Sequence, residues 1–133
     1  MIVKAVPTAF VHQTWPKVEQ WLRLAGTFSG EYSVSDLKLM VVQGQKQLLT
    51  VEEDGEVVGA IVVTYINRPE HRVGFITFIG GRGIITEDGF NQLKEILKKN
   101  GATYLEGAGR KSIVRLYRKL GILPKYTVFG AEI

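Results

Sequence analysis

The segment Gln47-Leu-Leu-Thr-Val-Glu-Glu-Asp-Gly-Glu-Val-Val-Gly-Ala-Ile-Val-Val-Thr-Tyr-Ile66 carries the clearest fold signal in the chain. Two β-branched runs flank Asp54-Gly55, and this dipeptide supplies the positive φ angles that a two-residue hairpin turn requires. The pattern predicts strands over 47–53 and 56–66. A second turn, Asn67-Arg68-Pro69-Glu70, leads into a third strand over 72–79 and completes an antiparallel meander.

Working back from the meander, Ile2 to Val6 reads as a short strand stopped by Pro7. Thr14 before Trp15-Pro16 has the form of an N-cap with proline in the first turn. Trp15, Val18, Trp21, Leu22 and Ala25 share one side of the helix that follows, and Lys17, Glu19, Gln20 and Arg23 the other. Gly26 ends it. A second helix starts at Ser33, with Asp36 completing a weak capping box, and ends near Gly44.

Working forward, Gly80-Gly81-Arg82-Gly83 breaks the third meander strand and Thr86 caps a third helix. Phe90, Leu93, Ile96 and Leu97 form its apolar face, while Glu87, Asp88, Lys98 and Lys99 complement its dipole. Gly101 closes it. A strand over 102–106, a helix over 111–120 with Gly121 at C′, and a last strand over 126–131 after Pro124 complete the pattern. The order is β-α-α-β-β-β-α-β-α-β. It predicts one α/β domain over residues 1–133, with a mixed (α+β) sheet of six or seven strands and helices on both faces.

The composition is that of a globular protein, 45% hydrophobic and 23% charged over 133 residues. Absence of cysteine excludes disulfides, thiolate metal sites and a thiol nucleophile. The longest apolar stretch, Val57 to Ile66, is broken by Gly59 and Thr64 and suits a buried strand. Residues 1–7 lack the features of a secretory signal, so a cytoplasmic, intracellular location without membrane insertion is expected. The net charge is +4, and six basic residues without an acidic one fall between Arg110 and Lys125. His12 and His71 have neither metal spacing nor a triad partner.

The element order resembles that of the GNAT N-acetyltransferase superfamily over essentially the whole chain. Leu116-Tyr-Arg-Lys-Leu-Gly-Ile122 is similar to the family's "LYEKxGF" element. The chain also looks like small GNAT-like proteins of bacteriophages and prophages. That likeness lies in Trp15-Pro16 and Trp21-Leu22, in Leu48, Val58-Gly59-Ala60 and Thr64, and in Gly109-Arg110.

The resemblance implies acetyl-CoA as a cosubstrate, lying where the fourth and fifth strands splay apart. Gly80, Gly81, Arg82 and Gly83 then occupy the place of the pyrophosphate-binding loop. The spacing departs from the family's Arg/Gln-x-x-Gly-x-Gly/Ala, Glu87 and Asp88 are unfavourable to a bound anion, and a plain turn requiring positive φ explains the glycines equally well. Tyr117 matches the tyrosine that protonates the departing thiolate; a packed tyrosine is the alternative. The fourth strand holds no carboxylate, so Glu106 is the nearest substitute for a base, its alternative being a solvated strand-end residue. Arg110 stands at a position of cofactor or substrate contact, or locks its loop by a salt bridge.

Three functions follow. The first is an N-acyltransferase passing acetyl from acetyl-CoA to an amine. The second is a catalytically degenerate GNAT-like phage protein, acting in the virion or its assembly through phage structural proteins. The third is nucleic-acid binding through the Arg110–Lys125 patch, disfavoured by the scarcity of aromatic residues there. A homo-oligomer is compatible with all three.

Overall fold

The computed structural model describes residues 1–26 and 32–133. Strand β1 (Ile2–Ala5) is followed by a 3₁₀ turn (Thr8–Phe10) and helices α1 (Val11–Gly26) and α2 (Val34–Val42). The meander is β2 (Gln47–Glu53), β3 (Glu56–Asn67) and β4 (Arg72–Gly81). Then come α3 (Glu87–Lys99), β5 (Tyr104–Gly107), a second 3₁₀ turn (Lys111–Ile113) and α4 (Val114–Arg118).

The five strands lie in sequence order, β1-β2-β3-β4-β5, in one sheet. Neighbours are antiparallel except β4 and β5, which are parallel and connected through α3. The hairpin forms as its sequence dictates, with Asp54 at φ 51° and Gly55 at φ 79°. Helices α1 and α2 cover one face, where Val11, Trp15, Val18, Leu22, Leu37 and Val41 pack on Leu48, Ala60, Val62 and Phe78. Helix α3 covers the other, with Leu93 and Leu97 against Leu49, Val51, Ile61, Val63 and Ile76. Gln92 ties α3 to the first strand, accepting from the Val3 N–H at 2.8 Å.

The Ser33–Asp36 capping box forms in both directions, and Thr86 caps α3 through the Gly89 N–H. Three expectations are corrected. Helix α1 starts one turn before Thr14, because the 3₁₀ turn after Pro7 already delivers the chain in helical geometry. The Thr14 hydroxyl donates back to the Phe10 carbonyl at 2.9 Å instead of capping. The last helix is split into a 3₁₀ turn and five α-helical residues. No strand forms over 126–131, so the described sheet has five strands and not six or seven. Val128 and Phe129 are 78% and 89% exposed, which leaves that segment no apolar surface to hold it. Among the described residues, no helix is long and apolar enough to cross a membrane.

Candidate active site

Strands β4 and β5 pair over only four residues, from Val73↔Tyr104 to Ile76↔Gly107. Beyond that point β4 runs on to Gly81 while β5 leaves the sheet. The parting coincides with a β-bulge. Val62 and Val63 of β3 are adjacent, yet they oppose Phe78 and Ile76 of β4, so Thr77 is the extra residue. The bulge inverts the side-chain alternation: Ile76 enters the α3 core and Phe78 the α1–α2 core. A gap flanked by the 77–81 edge of β4 results.

At its far end lies the loop from Gly81 to Thr86. Gly80 and Gly81 prove to be strand residues whose missing Cβ atoms make room for the chain itself. A Cβ at Gly80 would stand 2.4 Å from the Trp21 carbonyl oxygen, and one at Gly81 (φ +106°) 2.3 Å from the Gly59 Cα. The loop backbone is a different matter. Among the described residues, no acceptor is found for the N–H groups of Gly83, Ile84, Ile85 or Thr86. These donors adjoin the N-terminus of α3, a combination suited to an anion. Arg82 is exposed beside them, Asp88 is occupied by Gln92 Nε2 at 3.0 Å, and Glu87 is exposed.

Glu106 is buried and is no solvated strand-end residue. Arg68, in the β3–β4 turn, donates to both its oxygens at 2.7 and 3.0 Å. Lys125 Nζ donates at 3.2 Å and the Tyr126 hydroxyl at 3.4 Å. The hydrogen bonds from Arg68 lower the Glu106 pKa most; Lys125 adds to this, and burial opposes it. Thr64, Phe75 and Glu106 form one cross-strand row on the α1–α2 face. Phe75 is half-buried, so a molecule lying on that row meets an aromatic ring between two polar clusters.

Tyr117 lies on α4, half-buried, and burial pushes its phenol up. Its hydroxyl makes no hydrogen bond among the described residues, and none links it to Glu106. Lys119 and Leu120, just past α4, line a cavity of about 300 Å³ with Glu87, Phe90, Asn91 and Lys94 of α3. Arg110 is exposed at the start of the second 3₁₀ turn. His12 is exposed, His71 Nδ1 lies 3.0 Å from the Thr103 hydroxyl, and no cluster suited to a metal exists among the described residues.

This arrangement of five strands and their helices has many counterparts of known structure. The fold is that of the GNAT acetyltransferases. The chain is similar to a ribosomal-protein-alanine N-acetyltransferase from Brucella melitensis biovar Abortus 2308 at 14% identity and TM-score 0.69, with 100% of each chain covered. A probable acetyltransferase gives 10% identity and TM-score 0.72, covering 100% of this chain and 98% of the other. An aminoglycoside acetyltransferase from an uncultured soil metagenomic sample gives 10% and 0.72, covering 99% and 94%. No protein-family model and no curated sequence matches the chain.

Within this GNAT fold, sequence reasoning did not find Arg68, Lys125 or Tyr126 as partners of Glu106, nor Thr77 as the bulge. Lys125 and Tyr126 follow Pro124 in an element read as a strand, and Arg68 is 38 residues from the carboxylate it grips. A lone buried glutamate demands a cation, and that requirement was the available signal.

Proposed function

We propose that the chain is an N-acyltransferase that takes acetyl-CoA into the gap between β4 and β5 and passes the acetyl group to an amine. The observation that carries this reading is the pairing of the gap with the four N–H groups at 83–86 that have no acceptor among the described residues. From Thr77 to Arg82 the strand rises about 17 Å at roughly 3.3 Å per residue, a span suited to an extended pantetheine arm. The loop N–H groups and Arg82 would hold the pyrophosphate, with Lys94 and Lys119 adding positive charge at the α3–α4 cavity. Gly80 and Gly81 serve by allowing β4 and the loop to take this path.

In the reaction, the amine nitrogen attacks the thioester carbonyl carbon and an oxyanion forms. The C–S bond then breaks, the carbonyl returns, and the sulfur takes a proton. Tyr117, kept protonated by burial, is the proposed acid. The attacking nitrogen gives its proton to water. Glu106 is a weak base while Arg68 and Lys125 hold it, so its part is to anchor the wall of the acceptor face. Among the described residues that face is cationic, Lys46, Arg68 and Lys125 outnumbering Glu106, which disfavours polycationic amines as acceptors. Titration calorimetry with millimolar acetyl-CoA tests the reading, and absence of heat of binding would overturn it.

A second reading draws on the exposed apolar residues Tyr126, Val128 and Phe129. In it the chain is a catalytically silent GNAT-like protein that docks on phage structural proteins. Its test is mass spectrometry of purified particles, in which absence of this chain would sink it. Nucleic-acid binding is weakened by the engagement of Lys125 with Glu106.

A further inference from the structure

The α1–α2 face of the sheet holds a polar chain that the acyl-transfer reading leaves unused. Lys46 immediately precedes β2 and is buried, at 9% exposure. Its Nζ donates to Thr64 Oγ1 at 2.7 Å and stands 5.0 Å from the centroid of the Tyr32 ring. No carboxylate among the described residues pairs with it. Thr64 Oγ1 lies 2.8 Å from Thr77 Oγ1.

The ammonium group fixes the direction of the first bond, and the second is satisfied at both oxygens when Thr64 donates to Thr77. Lys46 only donates, so the Thr64 oxygen accepts from it and the Thr64 proton turns elsewhere. Thr77 Oγ1 is the acceptor within reach. Thr77 then spends a lone pair on Thr64 and keeps its own O–H to donate. Thr77 is half-buried and sits on the bulge, one residue past the last β4–β5 pair. A buried cation two hydrogen bonds away polarises it, and each bond in such a chain strengthens the next.

We propose that the Thr77 hydroxyl, polarised by Lys46 through Thr64, is a catalytic hydrogen-bond donor to the carbonyl oxygen of the bound acyl thioester. This rests on the reading that acyl-CoA enters the β4–β5 gap, since the vertex of that gap is where the thioester ends. The hydroxyl transfers no proton. It donates to the carbonyl oxygen, tightens as that oxygen gains charge on attack, and relaxes when the C–S bond breaks and the carbonyl re-forms. Thr64 and Lys46 are positioning residues. Among the described residues, no carboxylate stands beside Lys46 to cancel the field felt at Thr77.

Isotope-edited infrared spectroscopy of acetyl-CoA labelled with ¹³C at the carbonyl reads this contact without an acceptor amine. In the wild type, the bound thioester carbonyl band moves to lower frequency than in solution. With acetyl-CoA at saturation, Thr77→Val is expected to lose most of that shift and Thr77→Ser to retain it. Lys46→Met approaches the same contact from the far end and is expected to reduce the shift with Thr77 in place. A full shift in both Thr77→Val and Lys46→Met overturns the proposal and leaves acetyl-CoA binding standing. Failure of the wild type to bind acetyl-CoA overturns both. If Thr77→Val does not fold, as judged by circular dichroism, Lys46→Met and Thr64→Val decide alone.

Discussion

Arg68 and Glu106, 38 residues apart, meet in a two-pronged ion pair that fastens the β3–β4 turn to the edge strand β5. Lys125 joins the same carboxylate from the C-terminal segment. Three parts of the chain are thus held by one buried acid.

The pH dependence of stability has a definite sign. Arg68 holds the Glu106 pKa below its ordinary 4.5, so the contribution is present above that value and is lost as pH falls through the lowered one. Glu106→Gln is expected to lower Tm at neutral pH by roughly 3–6 °C. Calorimetric scans should show the gap between the two proteins closing as pH drops below 4.5.

Tyr65 gives a signature at the other end of the scale. Burial pushes its phenol up to about 12, and Arg72 opposes this weakly. The stabilisation linked to the raised value is complete below pH 10 and is lost as pH rises through about 12. In a titration of tyrosinate absorbance, Tyr65→Phe should remove the late step.

Gly81→Ala should be costly for two reasons that act together. The position has φ +106°, and the new Cβ would meet the Gly59 Cα at 2.3 Å. Strain plus overpacking predicts a loss of about 3 kcal/mol or more in urea denaturation. Gly121→Ala meets nothing within 4 Å and should cost only about 1–2 kcal/mol for its φ of +79°.

Arg82→Ala separates binding from folding. The side chain is exposed, so Tm should stay within about 1 °C of wild type. Acetyl-CoA affinity is expected to fall about tenfold, read by titration calorimetry. Unchanged affinity would remove Arg82 from the pyrophosphate site.

What the sequence reveals is what local chemistry decides. Asp54-Gly55 forces its turn and Ser33 with Asp36 forces its cap, whatever the rest of the molecule does. The amphipathic periods of α1 and α3 locate both cores before any contact is known. The helix start at Val11 was hidden because Thr14 looks like a cap, and only the path after Pro7 shows that it is not needed as one. The 126–131 segment has strand composition, but a strand also needs a neighbour. In the site, the loop glycines were legible as a break. Their reasons were not: the Trp21 carbonyl and the Gly59 Cα come from distant parts of the chain. No residue type announces a bulge, so Thr77 passed as an ordinary strand residue.

That bulge gives β4 a property of parity. Ile76 and Phe78, two positions apart, look to opposite sides because an odd residue stands between two in-phase halves. Deleting Thr77 would make Ile76 and Phe78 neighbours opposite Val63 and Val62, so ordinary alternation would keep both in their present cores, and what would be lost is the local twist and the hydroxyl at the parting of β4 from β5. The strand is thus one residue longer than its pairing needs, and a further residue inserted beside Thr77, not the removal of Thr77, is what would turn Phe78 and Ile79 toward the wrong cores.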